Sequence, residues 1–287
     1  MVSFGDVAAR PVHNWSVHQE AIFRDAREGD GHTVVIARAG SGKTTTIVEA
    51  LRHVPRGAGS LLVAFNKSIG RELSGKAPRG VEVRTLHSFG LKTITNALGK
   101  IEVDAQKVPK LIRKHLGDDL TAEQQHALCK GVELAKATLA QTEEDVRQLV
   151  DKFDLDVPEG EKQAFAELVL GLLDTCAEQS ACVNYDDMVW LPVRLGLHPR
   201  RFDRVFVDEM QDLNRGQVEL ALMASRRGGR ICAVGDDRQA IYSWRSAEPE
   251  GIPRLIGRLD AKVLHLSATY RCARRIVALA REIVPDL

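Results

Sequence analysis

Apolar residues along the chain fall into two patterns. Short runs rich in apolar and β-branched residues read as strands, the first two as strands buried on both faces. They are Thr33 to Ala37 (TVVIA), Ser60 to Phe65 (SLLVAF), Val81 to Thr85, Arg204 to Asp208 (RVFVD), Arg230 to Val234 (RICAV) and Lys262 to Leu266 (KVLHL). Between them apolar positions recur at helical spacing: Ser16 to Glu28, with Val17, Ala21, Ile22 and Phe23 on one face, a stretch from Lys43, another through Leu73, His87 to Leu98, and Cys272 to Ile283. Strands alternating with helices predict a mostly parallel sheet covered on both faces.

From about Asp104 to Glu178 the strand pattern disappears. Val108, Leu111, Ile112 and His115 share one helical face, as do Phe165, Leu168, Val169, Leu172, Leu173 and Cys176, and Pro158-Glu159-Gly160 marks a turn. An all-helical insertion within an α/β domain is the expectation.

The 287 residues suffice for one large domain or two smaller ones, and 44% apolar with 28% charged residues is the balance of a soluble globular chain. A formal net charge of +1 says nothing for or against nucleic acid, because a basic groove fits inside a neutral domain. Cys129, Cys176, Cys182, Cys232 and Cys272 form no CxxC pair, which reads as reduced thiols in a cytoplasmic protein rather than a zinc site. No apolar run is long enough to span a bilayer and none near the start resembles a secretory h-region, so no membrane partner is expected.

Candidate chemistry starts at Ala37-Arg38-Ala39-Gly40-Ser41-Gly42-Lys43-Thr44, which follows a strand and opens a helix, as a phosphate-binding loop must. Glycines let the backbone curl round phosphate oxygens, and the helix N-terminus adds positive potential. Ala37 stands where the general pattern has its first glycine. Ala39, Gly40, Ser41, Gly42, Lys43, Thr44 and Thr45 are the expected nucleotide contacts, Lys43 reaching the outer phosphates and the Thr44 hydroxyl a Mg²⁺ ion. The acidic end of Val205-Phe206-Val207-Asp208-Glu209 supplies the matching pair, Asp208 for the metal and Glu209 as base for the attacking water.

Further segments narrow the choice. Val207 to Asn214 (VDEMQDLN) resembles the DExQD motif of superfamily 1 DNA helicases of the UvrD/Rep type, and Gly235 to Arg245 (GDDRQAIYSWR) is similar to their motif III, GDxxQxIYxWR. Ala64 to Lys67 (AFNK) resembles motif Ia, in a form similar to the phage-type and F-box-helicase branch. Thr85 to Phe89 (TLHSF) resembles the TxHSF element, Asn184 to Met188 (NYDDM) the DFDDL box, and Thr269 to Arg271 (TYR) the NYR core of motif IV. These motifs keep the family's order from Gln19 to Arg271, so the resemblance covers nearly the whole chain.

The resemblance implies a RecA-like P-loop NTPase sheet, with residues 1–98 and 184–261 as two parts of the ATP-binding domain, 99–183 as the inserted helical subdomain and 262–287 as the truncated start of a second RecA-like domain. It implies ATP and Mg²⁺ as cofactors and single-stranded DNA or DNA junctions as partner, in the cytoplasm: at the nucleoid, or in a host if the protein is phage-encoded. Gln19 takes the place of the adenine-reading glutamine, though without the usual preceding proline. Gln239 would sense the γ-phosphate, Tyr270 stack on adenine and Arg271 reach the γ-phosphate across a cleft. Trp244 and Phe65 would stack on bases, at about 1–3 kcal/mol each, with Asn66, His87 and Arg245 lining the DNA channel. Phe65 and His87 also suit purely structural places, and Tyr185, Asp186 and Asp187 read as fixing the insertion to the core. The expected activity is that of an ATP-dependent DNA helicase or translocase. The arginines of a second motor domain lie beyond motif IV in the family, and such groups are worth roughly 10³–10⁵ in rate. The isolated chain is therefore expected to bind ATP but turn it over slowly, until a C-terminal half or a protein partner covers the incomplete second domain. The alternative is a non-catalytic ATP- or DNA-binding regulatory module.

Overall fold

A computed structural model describes residues 14–117, 119–239, 251–269 and 274–282. In chain order the elements are α1 (Val17–Glu28), β1 (Thr33–Ala37), α2 (Lys43–His53), β2 (Ser60–Ala64), α3 (Lys67–Lys76), β3 (Val81–Thr85) and α4 (Leu86–Leu98). Then come β4 (Glu102–Val103), α5 (Lys107–Leu116), α6 (Ala122–Thr138), α7 (Glu143–Lys152), α8 (Lys162–Glu178), β5 (Cys182–Val183) and α9 (Tyr185–Arg194). The last are β6 (Phe202–Val207), α10 (Arg215–Met223), β7 (Ser225–Gly235), α11 (Gly251–Leu259), β8 (Lys262–Leu266) and α12 (Arg274–Arg281).

Among the described residues, six strands form one sheet in the order β3-β2-β6-β7-β1-β8, every pair parallel. β1 and β2 are buried at every position because side chains alternate between two covered faces. Val34, Ile36, Leu61, Val63, Val205 and Val207 pack on one face with Phe89 of α4, Leu220 of α10 and Leu255 of α11. Val35, Leu62, Ala64, Phe206 and Val234 pack on the other with Ile22 and Phe23 of α1, Ile47 and Leu51 of α2, and Leu73 of α3. A third core joins α5 to α8 through Leu111, Ile112, Val132, Val146, Val169 and Leu173, and continues into Ile94 of α4 and Trp190 of α9. Truncating one such side chain to alanine costs about 2–5 kcal/mol. No described helix is long and apolar enough to cross a membrane.

The expected strands and helices form, with instructive departures. The strand at Lys262, expected to open a second domain, instead extends the first sheet: β8 pairs with β1 from Thr33↔Lys262 to Ala37↔Leu266, and Leu266 is fully buried. An edge strand of a parallel sheet has the same apolar signature whichever sheet receives it, so local pattern does not place it. The buried face of α1 is Gln19, Ile22, Phe23, Asp25 and Ala26, while Val17 is 75% exposed. The helix starts one residue after Ser16, whose hydroxyl accepts from the Gln19 N–H in a capping box, and this turns Val17 outward. His115 and Leu168 likewise face solvent. Two short strands, β4 and β5, pair where the chain enters and leaves the helical stretch. At two residues each they carry no periodicity to detect.

Candidate nucleotide site and adjoining groove

Both halves of the predicted phosphate site lie at the C-terminal edge of the parallel sheet, where β1 and β6 end. After β1 the backbone turns through Gly40 (φ 71°) and Gly42 (φ 78°), left-handed positions that cost other residues strain. Gly42 caps α2 with no side-chain hydrogen bond, so no side chain of the cap competes for the first-turn N–H groups. Lys43 and Thr44 begin that helix. The Lys43 Nζ is 2.7 Å from Glu209 Oε2 with the lysine side chain only 11% exposed, and the Thr44 hydroxyl lies 3.5 Å from Asp208 Oδ2. Asp208 is buried at the end of β6. Burial, then the neighbouring Glu209 charge, pushes its carboxyl up to about 6. Glu209 takes a left-handed backbone (φ 50°) that turns its side chain back to the loop, and its N–H donates to Asp208 Oδ1 at 3.0 Å.

These residues fit a nucleoside triphosphate with a divalent cation. The Ser41 hydroxyl is buried inside the loop without a protein partner, an unusual expense unless a ligand oxygen meets it. Thr44 and Asp208 offer a hydroxyl and one carboxylate. A Mg²⁺ ion typically takes that much from protein and completes its shell with water and phosphate oxygens.

Gln19, 4% exposed, is joined to the loop indirectly. Its Nε2 donates to Thr46 Oγ1 (3.0 Å), the Thr46 hydroxyl donates to the Gly42 carbonyl (2.9 Å), and its Oε1 accepts from the Ser16 N–H (3.0 Å). Its amide is thus engaged at both ends within the protein, next to the first turn of α2. Gln239 follows β7 and donates through Nε2 to Asp236 Oδ2. Trp244, Arg245, Tyr270 and Arg271 lie outside the described residues.

Sequence reasoning left Gln211 without a role. Its Nε2 donates to Glu209 Oε2 at 2.8 Å and, at 3.4 Å, to Asp212 Oδ2, while its Oε1 accepts the Asp236 N–H at 3.0 Å. One buried amide therefore connects the end of β6 to the end of β7. The signal available was a glutamine two residues past the acidic pair.

Beside the nucleotide site runs a groove of about 1090 Å³ between the sheet domain and the helical body. Phe65, half-buried at the end of β2, Asn66 and His87 share one wall, so the structure brings these three together. The Asn66 side chain is already committed as N-cap of α3, accepting the Ile69 N–H at 2.9 Å. Burial lowers the His87 pKa, which favours the neutral ring at pH 7. Lys67 and Arg71 supply positive charge along the groove, Arg84 and Lys130 are paired with Glu82 and Glu133, and Asp186 and, on the Gln211 side, Asp212 also line it. Burial, then the Glu209 charge, raises Asp212 to about 6.

The NYDDM segment divides its labour. Asp187 is fully buried, with ion pairs to Lys107 and Lys136 at 2.8 Å, and so tethers α5 and α6 to α9 as expected. Tyr185 does not: it is 60% exposed and lines the same groove as Phe65. The capping box of Asn184 and Asp187 starts α9 at Tyr185 and points the ring away from the core.

The sequence profile of the UvrD/REP helicase N-terminal domain matches residues 18–259. The ATP-dependent DNA helicase Rep of Escherichia coli (strain K12) is 30% identical over 290 residues, covering 89% of this chain and 41% of that protein. The ATP-dependent DNA helicase PcrA of Bacillus subtilis (strain 168) is 25% identical over 302 residues, covering 94% of this chain and 39% of that protein. The chain thus spans about two fifths of the length of these relatives.

Proposed function

Because this chain belongs to the UvrD/REP helicase N-terminal domain family, we propose that it is the first motor domain of an ATP-dependent DNA helicase or translocase, binding ATP–Mg²⁺ and single-stranded DNA. The RecA-like motor comprises residues 1–98 and 184–266, interrupted by the helical insertion 99–183. The observation that carries this reading is the meeting of Lys43 with Glu209 and of Thr44 with Asp208 on the sheet edge that also borders a groove holding Phe65, His87 and Tyr185.

Each residue has a definite task in this reading. Gly40, Gly42 and the N-terminus of α2 receive the phosphates, and Lys43 exchanges Glu209 for a phosphate oxygen. Thr44 and Asp208 hold the cation, whose charge offsets that of the phosphate oxygens. Glu209, released from Lys43 but still held by Gln211, accepts the proton of the attacking water. Phe65 and Tyr185 present ring faces to bases, and the basic side chains of the groove follow the backbone.

ATP hydrolysis by the purified chain, with and without an oligothymidylate and beside Glu209→Gln, tests the reading. Nucleotide binding by both proteins, with slow turnover only in the wild type, is the expected result. Failure of the wild type to bind nucleotide overturns it. Binding with no hydrolysis at all, even with DNA and excess chain, would favour a regulatory module.

A further inference from the structure

Arg38 is out of keeping with its neighbours in the glycine-rich loop, which are Ala37, Ala39, Gly40, Ser41 and Gly42. A guanidinium there could face phosphates or protein. Its Nη1 donates to Asp236 Oδ1 at 3.0 Å and also to Asp237 Oδ1, and the side chain is only 9% exposed. The backbone is held as well: the Arg38 N–H donates to the Leu266 carbonyl at 3.0 Å, and its own carbonyl accepts the Ser41 N–H at 3.1 Å. Swinging the head group outward would strand the buried Asp236 carboxylate, which is costly.

The pair also closes a circuit. Lys43 holds Glu209 (2.7 Å), Glu209 holds Gln211 (2.8 Å), Gln211 accepts the Asp236 N–H (3.0 Å), and Asp236 holds Arg38. Lys43 and Arg38 belong to the same loop, so both ends of this chain of contacts are anchored where phosphates would bind. Gln239 is attached to the circuit through Asp236 Oδ2, and the Arg238 N–H donates to Asp236 Oδ1 at 3.2 Å.

We propose that Arg38 is a positioning residue whose ion pairs to Asp236 and Asp237 transmit the state of the phosphate loop to the turn at 236–239, so that nucleotide and single-stranded DNA influence each other's binding through it. The proposal rests on the nucleotide and DNA reading above. Its physical content is a coupling free energy: removing the link changes how each ligand alters affinity for the other more than it changes either affinity alone.

The test uses the full chain as wild type, Arg38→Met, Arg38→Lys and Asp237→Asn. Three quantities are measured: affinity for a fluorescent ATP analogue with Mg²⁺, affinity for a labelled oligothymidylate with and without ATPγS, and amide exchange over residues 231–239. In Arg38→Met the turn should exchange about tenfold faster while β1 and α2 keep their protection. Nucleotide affinity should stay within about threefold, and the ratio of DNA affinities with and without nucleotide should fall to about one. Arg38→Lys should restore part of that ratio. If Arg38→Met does not fold, Asp237→Asn, which leaves the buried Asp236 pair in place, should show the same loss at smaller size.

Wild-type exchange and a wild-type ratio in folded Arg38→Met would overturn the proposal. So would lost nucleotide affinity with the ratio intact, which would make Arg38 a phosphate ligand, and so would a ratio of one in a wild type that binds both ligands. A wild type that binds no nucleotide brings down the proposed function instead, and the exchange measurement then decides alone whether Arg38 holds the turn.

Discussion

Asp208 shows what it costs to hold a metal-binding carboxylate in a dry place. Its carboxyl is raised from 3.8 to about 6 by burial and by Glu209. Between those values the folded chain holds the proton more tightly than the unfolded one, so stability falls as pH rises through this window. Above about pH 6 the cost is complete, on the order of 3 kcal/mol. Asp208→Asn should therefore raise the unfolding temperature at pH 7.5 in EDTA, and the gain should vanish near pH 4. With ATP and Mg²⁺ the order should reverse, since only the wild type gains from the ion. Scanning fluorimetry at both pH values checks this, and a variant less stable than the wild type in EDTA at pH 7.5 would refute it. The phosphate loop and the acidic pair were each legible as a local pattern, although the Lys43–Glu209 and Thr44–Asp208 contacts join positions 166 and 164 residues apart. The Gln211–Asp236 and Arg38–Asp236 contacts join positions 25 and 198 residues apart, and no local pattern announces them.

At the scale of elements, α4 and α9 cross at close range. A Cβ on Gly90 would lie 1.8 Å from the Met188 carbonyl oxygen, so the helices approach to a distance only glycine allows. Gly90→Ala must push them apart and should cost about 3 kcal/mol or more, measurable by urea denaturation. Unchanged stability would mean the crossing is looser than described. That glycine lies in an otherwise ordinary helical pattern, so its purpose was invisible before the partner helix was known. The central strands were legible because runs apolar on both faces have few other places to go. The position of β8 was not, because β1 accepts it through backbone hydrogen bonds that any sequence supplies.

Considered whole, the described residues form a sheet with a core on each face and a helical core beside it, with a groove along the junction, and the groove's aromatic residues come from both sides: Phe65 from the sheet, Tyr185 from the first turn after the helical body. Phe65→Ala and Tyr185→Ala should each weaken oligothymidylate binding about 5- to 100-fold, in keeping with about 1–3 kcal/mol per stacked base, and leave nucleotide affinity within about twofold. Fluorescence anisotropy at two salt concentrations reads this. An unchanged DNA affinity in Tyr185→Ala would remove that ring from the interface. The helical stretch α5 to α8 was legible from the loss of strand pattern after Asp104. The sharing of the groove between the two bodies was not, because it depends on how they dock.

The sheet order has a consequence for how the protein comes into being. β1 precedes the helical stretch, yet its two neighbours, β7 and β8, follow it. On a ribosome, the strand that carries the phosphate loop must wait until the helical stretch and β6 have been made before either side of it is covered. The helical stretch from α5 to α8, whose contacts are close in sequence, can assemble meanwhile. The nucleotide site thus waits on strands made after the helical stretch, and a nascent chain halted before β7 would carry the loop without the fold that gives it meaning.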